Sequence, residues 1–246
     1  MSLPRLYLLD VEGTTSPISL VSEQLFPYAR RHLRAYLRDY LHEAEIQADL
    51  ALLVEESRAE SDEKQILRFA QDAKFVGEDE IDSVVAYLLW LMDRDRKSTA
   101  LKSLQGKIWK AGFEAGELVG TVFADVPEAL ARWSRAAEVA IYSSGSVEAQ
   151  RLLFRHSSAG DLTPYLSGYF DTRAGAKGAA ESYRAIAVAM GVAPSDILFV
   201  SDVVRELDAA RKAGCLTRLS LREGNAPIAD LNGHVAVGAF VEIVQA

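Results

Sequence analysis

The sequence predicts a doubly wound α/β domain interrupted by a helical segment just after its first strand. Two observations lead there. Short apolar runs rich in β-forming residues, each closed by small or polar residues, alternate with helical patterns through the second half of the chain. Residues 17–110, by contrast, carry few strand signals and many helical ones.

The first run, Leu6 to Leu9, stops at Asp10. Beyond Pro17, Leu33, Tyr36, Leu37, Tyr40 and Leu41 recur at helical spacing. Residues 46–60 and 81–94 continue that pattern, and charges such as Asp93-Arg94-Asp95-Arg96-Lys97 read as a solvated face. Val126-Pro127-Glu128 opens a helix expected to reach Ala136, since proline is at home in a first turn. A strand at 139–142 stops at Ser143-Ser144-Gly145-Ser146, and a helix at 147–156 follows with Leu152, Leu153 and Phe154 on its apolar side. A helix at 179–190 precedes a strand at 197–200, which stops at Ser201-Asp202. A helix at 206–213 is ended by Gly214, and 216–219 is a weaker strand. Continuous apolar runs suit a parallel sheet covered on both faces, and the alternation suits a doubly wound topology. A lone N-terminal strand needs sheet neighbours to cover its edges. The expected division is therefore a core of 1–16 and 111–246 with a helical cap of 17–110 inserted in it, rather than two sequential domains.

Composition narrows the function. Hydrophobic residues make up 49% of the 246, enough for a sizeable core. A net charge of −8 argues against a nucleic-acid or anionic-membrane surface as the main partner, though a local cation cluster with a metal can still bind a phosphorylated molecule. No apolar run approaches a membrane span. The single cysteine, Cys215, excludes an internal disulfide and reads as a small buried residue. With no signal-peptide pattern at Met1-Ser2-Leu3-Pro4-Arg5, a reducing, cytoplasmic setting is expected. His32, His42, His156 and His234 lack metal-ligand spacing, and Trp90 and Trp133 read as core.

Open α/β sheets bind ligands beyond the carboxyl ends of their strands, where Asp10, Ser143-Ser144 and Asp202 all fall. Asp10 and Glu12 straddle one residue, and two close acids repel unless something compensates. A hard divalent cation such as Mg²⁺ would do so, and one carboxylate could attack phosphorus while the other moves a proton. An acidic turn relying on Gly13 would leave the same sequence. Ser143-Ser144-Gly145-Ser146 before a helix suits an anion site, or simple helix capping, or both. Asp202 and Glu206 put two acids at a loop–helix junction; one can ligate a metal, and Asp202 could instead cap the helix. Lys177, in Arg173-Ala174-Gly175-Ala176-Lys177-Gly178, could neutralise a phosphate and Asp10, or simply be solvated.

In this order, the acids after strand one, the serine, the lysine and the final acidic pair resemble the haloacid-dehalogenase-like phosphatase superfamily. More closely, "LLDVEGTTSPISLVSEQLFPYAR", "LQGKIWKAGFEAGEL", "VFADVPEALARW", "IYSSGSVEAQRLLF" and "ESYRAIA" resemble its enolase-phosphatase (acireductone synthase) family. Glu12 is characteristic, because most of the superfamily carries aspartate there. The resemblance implies a Rossmann-like core with a helical cap, Mg²⁺ as cofactor and a monomer. It implies a diketo phosphate substrate with a methylthio tail, enolised and then dephosphorylated in methionine salvage. It carries the nucleophile onto Asp10, metal binding onto Asp10, Glu12 and Asp202, and substrate binding onto Ser143, Ser144 and Lys177. Glu12 is implied either as the general acid or as a metal contact through its carbonyl, and it is one candidate for the enolisation base. Gly178-Ala179-Ala180 is less polar than the family's usual run. Phe26, Tyr28 and Trp109 could line the tail site, with core packing the preferred reading. Another phosphorylated metabolite, a dehalogenase reaction or a binding role on the same fold are the competing functions; Glu12 with the Asp202 and Glu206 pair speaks against a dehalogenase, and the intact Asp10, Lys177 and Asp202 against a binding role.

Overall fold

The computed structural model describes residues 3–58 and 78–243. Residues 59 and 60 of the helix expected at 46–60 lie outside them. The sheet has six strands: β1 (Leu6–Leu9), β2 (Glu138–Tyr142), β3 (Gly168–Phe170), β4 (Ile197–Ser201), β5 (Leu216–Ser220) and β6 (Ala236–Val237). Their order is β3-β2-β1-β4-β5-β6, and every pairing is parallel. β1 is central, with Leu6 level with Glu138 on one side and Ile197 on the other. All four of its residues are buried, which is why it is uniformly apolar rather than alternating.

The two faces of β1 feed two layers. Leu6 and Leu8 join Tyr142, Tyr183, Phe199 and Leu207 in one cluster. Tyr7 points the other way and stacks on Trp133 at 4.3 Å between centroids, and Trp133 meets Phe240 at 5.1 Å. The helices of these layers are α5 (Val126–Trp133), α6 (Val147–Arg155), α7 (Ala180–Ala189) and α8 (Val204–Ala213) when numbered after the four of the helical stretch. α5 stops short of Ala136, and α8 begins two residues before Glu206. Neither β3 nor β6 was expected; three- and two-residue strands are too short to show a period. Cys215 is buried, and burial pushes its thiol up to about 12, so it is inert packing.

The chain divides into two compact units, Met1–Glu23 with Gly116–Ala246, and Gln24–Ala115. The sequence placed the boundaries at 17 and 110. The helical unit holds α1 (Phe26–Tyr40), α2 (Ala44–Arg58), α3 (Glu78–Asp93) and α4 (Thr99–Glu114), and α4 continues past 110. Leu33, Leu37, Leu50, Leu53, Leu88 and Leu104 form its core. Ser98 starts α4 by accepting from the Leu101 amide at 3.0 Å, while Glu56 accepts from the Thr99 amide at 2.8 Å. A largely buried Lys107–Asp49 pair at 2.7 Å ties α4 to α2. Tyr28 and Trp109 pack partly against the core, as does Trp90. Phe26 departs from the packing reading, being 45% exposed. The charge run at 93–97 is exposed, as expected.

Trp133 is fully buried between Tyr7 and Phe240. Trp133→Ala is expected to destabilise the sheet unit by about 3–5 kcal/mol, read as a lower urea midpoint in near-ultraviolet circular dichroism. A shift near zero would mean that this aromatic stack contributes nothing to the fold.

Candidate active site

Asp10 follows β1 without leaving the ladder, since its amide donates to the Val200 carbonyl at 3.0 Å. It is 3% exposed. Its Oδ1 accepts from the Val11 amide at 2.8 Å. Its Oδ2 lies 2.6 Å from Lys177 Nζ and 2.9 Å from the Ser201 hydroxyl. Lys177 Nζ also pairs with Glu206 Oε2 at 2.7 Å, and that oxygen lies 3.0 Å from Ser201 Oγ. Ser201 has one proton for two carboxylates, whereas the lysine has enough to serve both. The Val203 amide donates to Ser201 Oγ at 3.2 Å and fixes the hydroxyl at the end of β4.

The turn after Asp10 closes tightly. The Val11 carbonyl accepts from the amides of Thr14, Thr15 and Ser16 at 3.2, 3.0 and 2.9 Å. The Thr15 hydroxyl donates back to the Asp10 carbonyl at 3.0 Å. Gly13 takes φ +70, where a side chain is strained, and a Cβ there would sit 2.4 Å from Asp202 Oδ2. The Asp202 carboxylate therefore lies across Gly13. The Gly13 carbonyl accepts from the Ser220 hydroxyl at 3.0 Å and the Asn225 amide group at 2.9 Å. Glu12, one residue earlier, accepts from the Ser143 hydroxyl at 3.3 Å. Ser143 is buried at the end of β2, and Ser144 is exposed in the same loop. Ser146 caps α6 by accepting from the Ala149 amide at 3.2 Å, so the capping and loop readings of this serine run coexist.

Five of the residues singled out from sequence thus meet at one sheet edge: Asp10, Glu12, Ser143, Lys177 and Asp202. Glu206 joins them, as the partner of Lys177. Asp202 does not cap α8; Val203 occupies that position. Sequence reasoning gave no role to Ser201, Ser220 or Asn225. Ser201 was visible only as the close of an apolar run, and the stretch around Asn225 has no periodicity to mark it.

The electrostatics follow from crowding. Burial, and then the Asp10 charge, raise the pKa of Glu12 and of Glu206. The same two causes push Asp202 up to about 6. Burial disfavours the Lys177 charge, yet Asp10 and Glu206 outweigh it and hold its pKa above the ordinary lysine value. Four acids share one ammonium, so the cluster lacks positive charge. Among the described residues no three His, Cys, Asp or Glu side chains form a ready metal cage. Mg²⁺ does not require one, because it binds through one or two carboxylates and completes its octahedron with water and phosphate oxygens. Hard oxygen donors with excess negative charge fit such an ion. Asp10 and Asp202 are the carboxylates that face the Gly13 turn from β1 and β4.

The profile of the haloacid dehalogenase-like hydrolases matches residues 4–214. Enolase-phosphatase E1 of Synechococcus elongatus is 51% identical over 237 residues, 96% of each chain. In Populus trichocarpa, a probable bifunctional methylthioribulose-1-phosphate dehydratase/enolase-phosphatase E1 is 46% identical over 98% of this chain and 47% of its own length. Among solved structures, the UTR4 protein of Saccharomyces cerevisiae superposes with a TM-score of 0.76 at 33% identity, covering 96% of this chain and 98% of that one.

Gly13 and Gly116 both have positive φ, but nothing lies within 4 Å of a Cβ added at Gly116. Each alanine replacement should cost about 1–2 kcal/mol for the backbone alone. Gly13→Ala should cost roughly 1–3 kcal/mol more for overpacking against Asp202. Chemical denaturation of the two variants compares them, and equal losses would contradict the close packing of Gly13.

Proposed function

The chain belongs to the haloacid dehalogenase-like hydrolases, and from that premise we propose that it is the enolase-phosphatase of methionine salvage. It enolises 2,3-diketo-5-methylthiopentyl-1-phosphate and then hydrolyses the phosphate ester to give the acireductone 1,2-dihydroxy-3-keto-5-methylthiopentene. The observation that carries this reading is the relative of that name, 51% identical over 96% of the chain.

The cluster supports the chemistry residue by residue. Asp10 is the nucleophile. Its carboxylate attacks phosphorus as the ester oxygen leaves, giving an aspartyl-phosphate that water then hydrolyses. Lys177, 2.6 Å from Asp10, offsets the charge that would repel an anionic substrate and holds a phosphate oxygen during transfer. Ser143 and Ser144 offer hydroxyl donors to the remaining phosphate oxygens. Glu12 is the candidate proton donor to the leaving oxygen and the candidate base for the enolisation, since each task needs a carboxyl beside the reacting atoms. Asp10 and Asp202 would hold Mg²⁺, with Glu12 contributing through its backbone carbonyl. When bound, the ion supplies charge compensation between phosphate and carboxylates and polarises the substrate carbonyl.

The helical unit is read as a cap domain. The partner is a small phosphorylated metabolite. None of the described helices is long and apolar enough to cross a membrane. A cytoplasmic monomer with neither nucleic acid nor membrane as partner completes the reading.

Two outcomes check it. With the diketo phosphate and Mg²⁺, an enol absorbance should rise before phosphate appears, and EDTA should abolish phosphate release until Mg²⁺ is restored. Phosphate from generic esters without any enol signal would move the assignment to another phosphatase of the family. Asp10→Asn should keep the circular dichroism of the native chain and lose phosphate release by several orders of magnitude; full turnover in that variant would remove Asp10 as nucleophile.

A further inference from the structure

We infer that Tyr183, Ser182 and Tyr142 are positioning residues for Lys177, acting through the backbone of the loop that carries it. The inference rests on the reading of Lys177 as a phosphate-binding residue. Three consecutive carbonyls of this loop are each held by a different hydroxyl. Tyr142 donates to the Gly175 carbonyl at 2.9 Å, Ser182 to Ala176 at 2.7 Å and Tyr183 to Lys177 at 2.7 Å. All three donor residues are buried.

The loop's own restraints are backbone turns, with the Gly175 amide donating to the Thr172 carbonyl at 3.2 Å and the Ala179 amide to the Ala176 carbonyl at 2.9 Å. In Ala174-Gly175-Ala176-Lys177-Gly178-Ala179 no side chain but the lysine is larger than a methyl group. A lysine with free rotors places its ammonium between Asp10 and Glu206 only if its backbone is fixed, because rotor freedom spreads the charge over a wide volume. The clamp supplies that fixity from two elements, the end of β2 and the first turn of α7. Its aromatic members are themselves locked. The Tyr142 and Tyr183 rings meet edge-on at 5.7 Å, and the Tyr183 ring lies 5.0 Å from Phe199. The fit is close, since a Cβ on Gly175, at φ +123, would stand 2.2 Å from Ser182 Oγ. A buried tyrosine needs some acceptor for its hydroxyl. Directing three hydroxyls at three successive carbonyls fixes the position of the one long side chain between them.

The test is acylation of the full chain with an amine-reactive reagent, followed lysine by lysine by mass spectrometry. Tyr183→Phe and Ser182→Ala should each raise the acylation rate of Lys177 several-fold. Lys107, paired with Asp49 in the helical unit, should keep its rate. The kcat/KM for phosphate release should fall by roughly ten- to a hundredfold. Lys177 reacting at the wild-type rate in both variants, or rising only in step with Lys107, would overturn the positioning role. Acylation does not depend on turnover. A native chain that released no phosphate would defeat the proposed function and leave this test intact.

Discussion

One ammonium group organises the carboxyl edge of this sheet. Lys177 bridges Asp10 at the end of β1 and Glu206 in the first turn of α8, with its side chain only 11% exposed. Burying a charge is costly unless it is paired and hydrogen-bonded. Here the pairing is double, and it is the reason two buried acids tolerate each other's proximity. Ser201 reinforces the bridge from the end of β4. The central strand, its neighbour, the lysine loop and α8 are thus fastened at one point. The remaining acids, Glu12 and Asp202, form no ion pair with Lys177, and burial followed by the Asp10 charge raises their pKa values, as it does that of Glu206.

Much of this was legible in the sequence because the physics is local. A central parallel strand must be apolar on both faces, so Leu6 to Leu9 and Ile197 to Val200 announce themselves, and the acids that close them mark the edge. The order of Asp10, Ser143, Lys177 and Asp202 then carried a family resemblance. Other features depend on contacts between distant residues and left no local trace. From sequence, Glu206 is only one of two acids at a loop–helix junction; its pairing with Lys177 at 2.7 Å is a tertiary contact. Ser220 and Asn225 hold the Gly13 carbonyl from a stretch without periodicity. β3 and β6 are too short to be patterned, and the break between units falls at Ala115, just past the end of α4, where no composition change marks it.

Several core residues work at both ends. Tyr142 and Tyr183 bury their rings in the cluster around Phe199 and spend their hydroxyls on the lysine loop. Arg222 is similar on the opposite layer. Its guanidinium lies over the Phe123 and Phe240 rings, each at 4.7 Å, while it pairs with Asp125 at 3.0 Å and donates to the Thr14 carbonyl at 3.3 Å. The same side chains therefore both pack and hydrogen-bond, and the geometry of the acid turn is tied to the density of the core behind it.

The placement of β1 bears on how the chain is made. It is synthesised before both of its neighbours, β2, which starts at Glu138, and β4, which ends at Ser201. At about 5–20 residues per second, synthesis leaves this apolar tetrapeptide without its second flanking strand for roughly 10–40 s. The intervening helical unit has its own core and can collapse in that interval. The nascent chain thus carries a helical unit with its own core together with an apolar strand that still lacks its partners. That strand's exposure to chaperones is set by the whole stretch between it and the end of β4, to which the helical unit contributes, rather than by the stability of the finished sheet.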